Sequence, residues 1–293
     1  MPIDPGCIGR VTQPEVRSWT SDDGLLYALA VGSGTEELPF TTENTTGTEQ
    51  ALLPTMAATL GAIVQPVWDI IGPFDRAALV HGEQAISIAE PIPVAGSASV
   101  ASRVAGLYDK GKAAVVVIDT DATDTHTGTL RFTSRTSVFI RGEGGWGGER
   151  GPSPKCPAPP DRMPDHVVTE PTLPIQALLY RLTGDRNPLH SDPVFAAKAG
   201  FERPILHGLC TFGFAGRALL NRLCGGDPAR FTEMSARFVA PAYPGDELTT
   251  AIWVTGRGEA LYQTARAADA VVLDGGVFRF QALGRTTTTE DRP

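Results

Sequence analysis

The chain has 293 residues and carries 25 Lys and Arg against 33 Asp and Glu, a net charge of −8 with histidine neutral. With 42% hydrophobic and 20% charged residues it can build packed cores, which excludes a chain disordered by composition. The acidic balance, with no cluster of Lys and Arg, excludes nucleic acid and anionic membrane as expected partners, so contacts to any anionic ligand must be few and local.

The cysteines Cys7, Cys156, Cys210 and Cys224 form no C-x-x-C pair and are too few for a disulfide scaffold. The first residues, MPIDPGCIGRVTQPEV, lack an apolar leader, and TTTTEDRP at the other end carries no address. No run reaches the roughly 18 apolar residues of a membrane helix. These readings lead to the expectation of a soluble, cytoplasmic protein.

In chain order, residues 51–64 (ALLPTMAATLGAIV) read as an apolar helix, followed by strands over 79–89, 98–107, 113–119 and 127–140. Residues 152–164 contain six prolines in thirteen positions and read as an extended linker. It separates an N-terminal unit, 1–151, from a C-terminal unit, 165–293. In the second unit residues 206–223 form a long helix that is apolar on most sides, with Arg217, Asn221 and Arg222 only near its end and Gly225–Gly226 to stop it. Strands follow over 234–239, 247–254, 260–267 and 271–283. Each unit places a Pro-to-Gly turn after its first strand, at 91–96 and 241–245. The pattern predicts a duplicated α+β unit, a helix against an antiparallel sheet.

Between linker and long helix lies the segment with chemical content. Thr172 is expected to cap a helix whose apolar face is Ile175, Leu178, Leu179 and Leu182, with Gly184 in a left-handed position after it. Asn187-Pro188 forbids further helix, and Ser191 or Asp192 with Pro193 starts a second one, ending near Gly200. Asp185 and His190 then stand at opposite ends of a tight loop. The spacing alone is not diagnostic, because Asp121/His126 and Asp161/His166 share it. On the residues alone, the pair reads equally as a catalytic dyad or as ordinary turn capping.

The thirteen residues Tyr180-Arg-Leu-Thr-Gly-Asp-Arg-Asn-Pro-Leu-His-Ser-Asp192 resemble the signature of the R-specific 2-enoyl-CoA hydratases, the hydratase 2 or MaoC-like group. The similarity continues through 201–214 and 236–245. In the first unit Leu79-Val-His-Gly-Glu-Gln84 and Asp109-Lys-Gly111 resemble the two-unit members. The resemblance implies a double hotdog, two helix-in-sheet units sharing one sheet. It also implies hydration of a trans-2-enoyl-CoA to the (3R)-3-hydroxyacyl-CoA, a lyase reaction. By the same resemblance Asp185 and His190 are the catalytic pair, Asn187 the polar residue between them, and Gly208 the helix-start glycine facing the thioester. Glu43 falls at a further glutamate of the long members, and His81, Gly82, Lys110 and Phe238 at positions lining the CoA or acyl channel. The first unit lacks the motif and is expected to accommodate the acyl chain. No cofactor or metal is expected, since the CoA thioester is the substrate, and the family implies a homodimer.

Two other patterns are set aside. His207-x-x-Cys210 reads as core, having no second ligand pair. Gly142-x-Gly144-x-x-Gly147 matches a dinucleotide fingerprint but precedes the proline linker, where that site needs a helix. Competing functions are a 3-hydroxyacyl-carrier-protein dehydratase, an acyl-CoA thioesterase and a non-catalytic acyl-CoA-binding subunit. Free CoA marks the thioesterase, and unchanged enoyl-CoA marks the binding subunit.

Overall fold

The computed structural model describes residues 3–62, 65–152, 157–267 and 270–282. Among them ten strands form one antiparallel sheet. The first half supplies β1 (Glu15–Trp19), β2 (Leu79–Ile88), β3 (Gly96–Asp109), β4 (Ala113–Asp124) and β5 (Leu130–Arg141). The second supplies β6 (His166–Pro171), β7 (Phe231–Phe238), β8 (Glu247–Gly256), β9 (Glu259–Arg266) and β10 (Ala270–Phe280). The order β1-β3-β4-β5-β2-β7-β10-β9-β8-β6 reads identically inward from both edges. The halves meet where β2 pairs with β7, from Glu83 opposite Arg237 to Ser87 opposite Glu233, and the Glu83 carboxylate binds Arg237 at 2.6 Å. Buried and less buried residues alternate along β2, as a sheet with one covered face requires.

The described helices are α1 (Ser21–Ala30), α2 (Leu38–Thr41), α3 (Met56–Leu60), α4 (Gln65–Ile71), α5 (Gln176–Tyr180), the largely exposed α6 (Pro193–Lys198) and α7 (Gly208–Cys224), of which α3, α4 and α7 pack directly on strands. Helix α7 buries nearly its whole middle, from Cys210 to Leu220. Side chains at Gly213 and Gly216 would strike Val31 and Thr55 at 2.4 and 2.3 Å, so these glycines let first-half segments lie directly on α7. Arg217, 4% exposed, is bound by Glu37 and Glu170 and donates to the Val31 carbonyl at 3.0 Å. The main core spans both halves, and a smaller one around Val67, Ile71, Val116 and Ile140 lies in the first half alone. None of the described helices is long and apolar enough to cross a membrane. Cys7, Cys210 and Cys224 are free and buried, while Cys156 lies outside the described residues.

Several expectations need correction. The helix expected over 51–64 is only Met56–Leu60, with Leu52 and Leu53 buried but not helical. Pro54 precedes it, Gly61 closes it, and residues 63–64 are outside the described residues. Thr172 does not cap α5, because its hydroxyl donates to the Asp246 carbonyl and accepts from Gly245 N–H, and Ile175 occupies the cap position. The buried face of α5 is Gln176, Ala177 and Tyr180, whereas Ile175, Leu178 and Leu182 are exposed. Gln176 is buried because its amide donates to the Leu29 and Ala30 carbonyls at the end of α1. Near the end of β3, N–H groups of Gly145, Gly111 and Gly147 all donate to the Asp109 carboxylate, holding it below the usual carboxylate range.

Candidate active site

The segment 184–190 turns where the sequence requires. Gly184 adopts φ 132° and ends the helical stretch. The Asp185 carboxylate accepts Asn187 N–H at 3.0 Å. The Asn187 side chain accepts Leu189 N–H at 3.0 Å, capping the short turn Pro188–His190. Asp192 caps α6, with Pro193 in its first turn. His190 enters the interior, 8% exposed, while Asp185 stays exposed.

His190 Nδ1 lies 2.9 Å from the Ile205 carbonyl, which can only accept, so Nδ1 carries the proton and Nε2 keeps its lone pair. Burial lowers the pKa of His190, partly opposed by that hydrogen bond and by Asp185. His207, which the sequence reading set aside as core, is the third member of this cluster. Its ring stacks on His190 with centroids 3.7 Å apart and planes inclined by 27°. Its Nε2–H donates to the Asp185 carbonyl at 3.2 Å, and its Nδ1 is buried without a hydrogen-bond partner. Burial, and then the neighbouring His190, lower the His207 pKa to about 3. The signal was available in the sequence: His207 immediately precedes the glycine that opens the long helix. The Asp185 charge acts at once on His81, Tyr180, His190 and His207.

One ligand atom each from Asp185, His190 and His207 lies within 4.8 Å of the others. Such a set could offer donors to a metal. Two imidazole lone pairs lie in their ring planes, however, and planes this nearly parallel do not converge within the ~2.0–2.1 Å of a metal–nitrogen bond. The arrangement suits a proton-handling pair better than a chelate.

Helix α7 begins beside this cluster. His207 is its N-cap residue, yet its side chain does not cap, being committed to Asp185. Cys210 and Thr211 N–H both turn back to the His207 carbonyl, leaving Gly208 and Leu209 at the open, positive end. A side chain at Gly208 would press on the Phe238 ring at 3.0 Å. Phe238 in turn contacts His81, with ring centroids 4.6 Å apart, so Gly208, Phe238 and His81 form one wall. Burial lowers the His81 pKa to about 4.

Other expected positions fall elsewhere. Gly82 sits at an irregularity of β2 between His81 and Glu83, and a side chain there would strike Phe139 at 2.6 Å. Lys110 lies in the β3–β4 hairpin, three strands from β2, and donates to the Arg150 carbonyl. Glu43 is exposed and lines none of the described cavities near the motif. The glutamate of that region that makes structural contacts is Glu37, through Arg217 and Asn221.

A cavity of about 470 Å³ runs from the Asp185 loop into the first half. Asp185, Arg186 and Tyr180 line one side, and Ala58, Ala62, Trp68, His81 and Thr136 the other. It lies against the first half, where α3 is short. Gln84, the last residue of the first-unit motif, also lines it, as do Arg17 and Thr59, neither of which was singled out from sequence.

Comparison with known proteins follows this geometry. Residues 18–142 match the MFE-2 hydratase 2 N-terminal domain and residues 155–273 the MaoC like domain. The 3-hydroxyacyl-thioester dehydratase Y of Mycobacterium tuberculosis is 48% identical, the match covering 96% of this chain and 100% of that protein. The peroxisomal enoyl-CoA hydratase 2 of Arabidopsis thaliana is 40% identical over 90% of this chain and 91% of its own length. The crystal structure of a MaoC-like dehydratase from Phytophthora capsici superposes with a TM-score of 0.86 at 31% identity, covering 96% of this chain and 98% of that one. The mirrored sheet is thus a double hotdog. Both halves match in the order in which the chain presents them, and relatives of one kind share nearly its full length, so the chain belongs to the MaoC-like dehydratase family, among its hydratase 2 members.

Proposed function

We propose that the protein hydrates trans-2-enoyl-CoA to the (3R)-3-hydroxyacyl-CoA, with Asp185 and His190 as the proton-handling pair. The observation that carries this reading is the fixed tautomer of His190. Its Nδ1–H is held by the Ile205 carbonyl, which leaves Nε2 basic, and a ring nitrogen of His190 lies within 4.8 Å of an Asp185 carboxylate oxygen. A depressed pKa keeps that nitrogen free of protons at neutral pH.

The pair holds one water. It takes a proton from the water as the oxygen bonds to the β-carbon, and the double-bond electrons move toward the thioester oxygen. It returns one proton to the α-carbon, so one water is consumed and the pair ends unchanged. Gly208 N–H, at the start of α7, stabilises the negative charge that develops on the thioester oxygen. Asn187 holds His190 in place by capping its turn. His207 anchors the Asp185 backbone and remains neutral. His81 lines the acyl cavity, and the Phe238 ring packs against it. Arg186, exposed at the cavity, has no carboxylate within ion-pair distance among the described residues, which supports its assignment to the anionic part of CoA.

Support comes from the relative named enoyl-CoA hydratase 2. The relative named a 3-hydroxyacyl-thioester dehydratase describes the same bond change in reverse. The test is to follow enoyl absorbance and free thiol together with purified protein. Loss of absorbance with no free CoA is expected, whereas thiol release without hydration replaces the reading with a thioesterase.

A further inference from the structure

Strand β1 lies at the edge of the sheet and presents a half-buried arginine to the interior. Val16 and Ser18 are exposed on either side of Arg17. The Arg17 guanidinium donates to the carbonyl of Leu60, the last residue of α3, and, at 2.8 Å, to that of Ala62 just past it. These bonds use two of its five N–H donors. Among the described residues no carboxylate lies within ion-pair distance of it, and the acid that influences it is Glu15, exposed on the same strand. Burial lowers its pKa, but a guanidinium does not give up its proton near neutrality.

Arg17 stands at a junction. It lines the 470 Å³ cavity that contains Asp185 and also a neighbouring cavity of about 290 Å³. Thr59 and Thr183 line both as well, so the two spaces adjoin at a polar neck. The larger cavity's wall is mainly apolar but carries polar pairs: Gln84 and Thr136 hydrogen-bond each other, and the Tyr180 hydroxyl lies 3.3 Å from that of Thr59. The one carboxylate of the smaller cavity, Asp23, accepts both Thr20 N–H and the Thr20 hydroxyl in the cap of α1. A purely hydrocarbon chain would leave the guanidinium facing apolar atoms, which disfavours its binding.

We propose that Arg17 is a specificity-determining residue and that the cavity selects acyl thioesters whose far end carries a carboxylate. This rests on the hydratase reading for the position of the thioester at the Asp185 end. The carboxylate takes the unused N–H donors of Arg17, with Thr59 and Thr183 as neighbouring hydroxyls. A charge-assisted contact of this kind is strong enough to dominate the choice between two chains of equal length.

The experiment pairs medium-chain trans-2-enoyl-CoAs ending in a methyl group with counterparts ending in a carboxylate, on wild type and on Arg17→Gln. The Gln variant keeps one amide NH2 group on a shorter side chain and removes the charge. The expected result is a wild-type preference in kcat/KM for the carboxylate-ended series, falling by about 10- to 100-fold in Arg17→Gln. A calorimetric titration with the saturated acyl-CoAs of both kinds reads the same preference as affinity, independent of turnover. Absent hydration with a retained, Arg17-dependent binding preference defeats the hydratase reading and leaves this one standing. Equal affinity for the two ends in wild type, or a preference that Arg17→Gln leaves intact, overturns it. If Arg17→Gln unfolds, Arg17→Lys, which keeps the charge, decides the case by whether the preference persists.

Discussion

In the second half of the molecule a 17-residue helix fills the curl of the sheet. In the first half the place against β2 and β5 is held by the five residues of α3, and space opens beside it. The strand order of the two halves is the same, so the difference lies in what each encloses. The full helix presents a free N-terminus beside Asp185 and His190. The shortened one leaves a cavity leading to that N-terminus. On the proposed hydratase reading, the two halves divide two tasks that a single unit would have to combine: holding the reacting bond and housing the rest of the substrate. The first half carries no Gly-Asp-x-Asn-Pro-x-His motif of its own, and the cavity beside α3 reaches the motif of the second half at Gly184, Asp185 and Arg186.

The sharpest way to break the comparison is to remove the pair from the second half. His190→Ala is expected to cost about 10²–10⁴-fold in hydration rate. Near-normal turnover would return the pair to the role of turn capping. The next effect tests what joins the halves. Glu37, from the first, is one of two carboxylates on buried Arg217 of the second. Glu37→Ala leaves that charge short of a partner and should cost about 3 kcal/mol, read as a lower denaturation midpoint. A shift below about 0.5 kcal/mol would show that Glu170 alone satisfies the arginine.

A smaller effect sharpens the role of the cavity. Ala62→Leu adds bulk to its wall, and kcat/KM for long enoyl chains should fall by about 10-fold more than for the shortest one. An equal loss for both would place the chain elsewhere. The smallest effect is in acid stability. Burial lowers the pKa of His81 to about 4 and of His207 to about 3, below the ordinary histidine value of 6.5, and lowers His190 as well. Between those values the unfolded chain binds more protons than the folded one, so their contribution is present above about pH 6.5 and is lost as pH falls. His207→Phe keeps a ring but binds no proton, and should flatten this fall in thermal midpoint. An unchanged slope in the variant would contradict the assignment to His207.

The second half was the more legible in sequence because its elements announce themselves. Gly184, Asn187-Pro188, Asp192-Pro193 and Gly225 each force a local conformation, and the loop and α7 lie where they direct. Apolar periodicity misled at α5, where a buried glutamine joined to α1 outranks three leucine-type residues left exposed. It also overextended the helix after Pro54, since burial of Leu52 and Leu53 does not need helical backbone. Strand β1 passed unnoticed because its inward residues include Arg17, which reverses the expected alternation. Helix α1 did carry a signal, the capping box of Thr20 and Asp23. The stacking of His207 on His190 was not legible, because it joins residues seventeen positions apart through a fold that spacing does not encode.

The most direct test of the central claim is the chirality of product from trans-2-enoyl-CoA with wild type and with Asp185→Asn. The account predicts the 3R alcohol from wild type and at least about a 10²-fold loss in the variant. A 3S or racemic product, or equal rates in the two proteins, would contradict it.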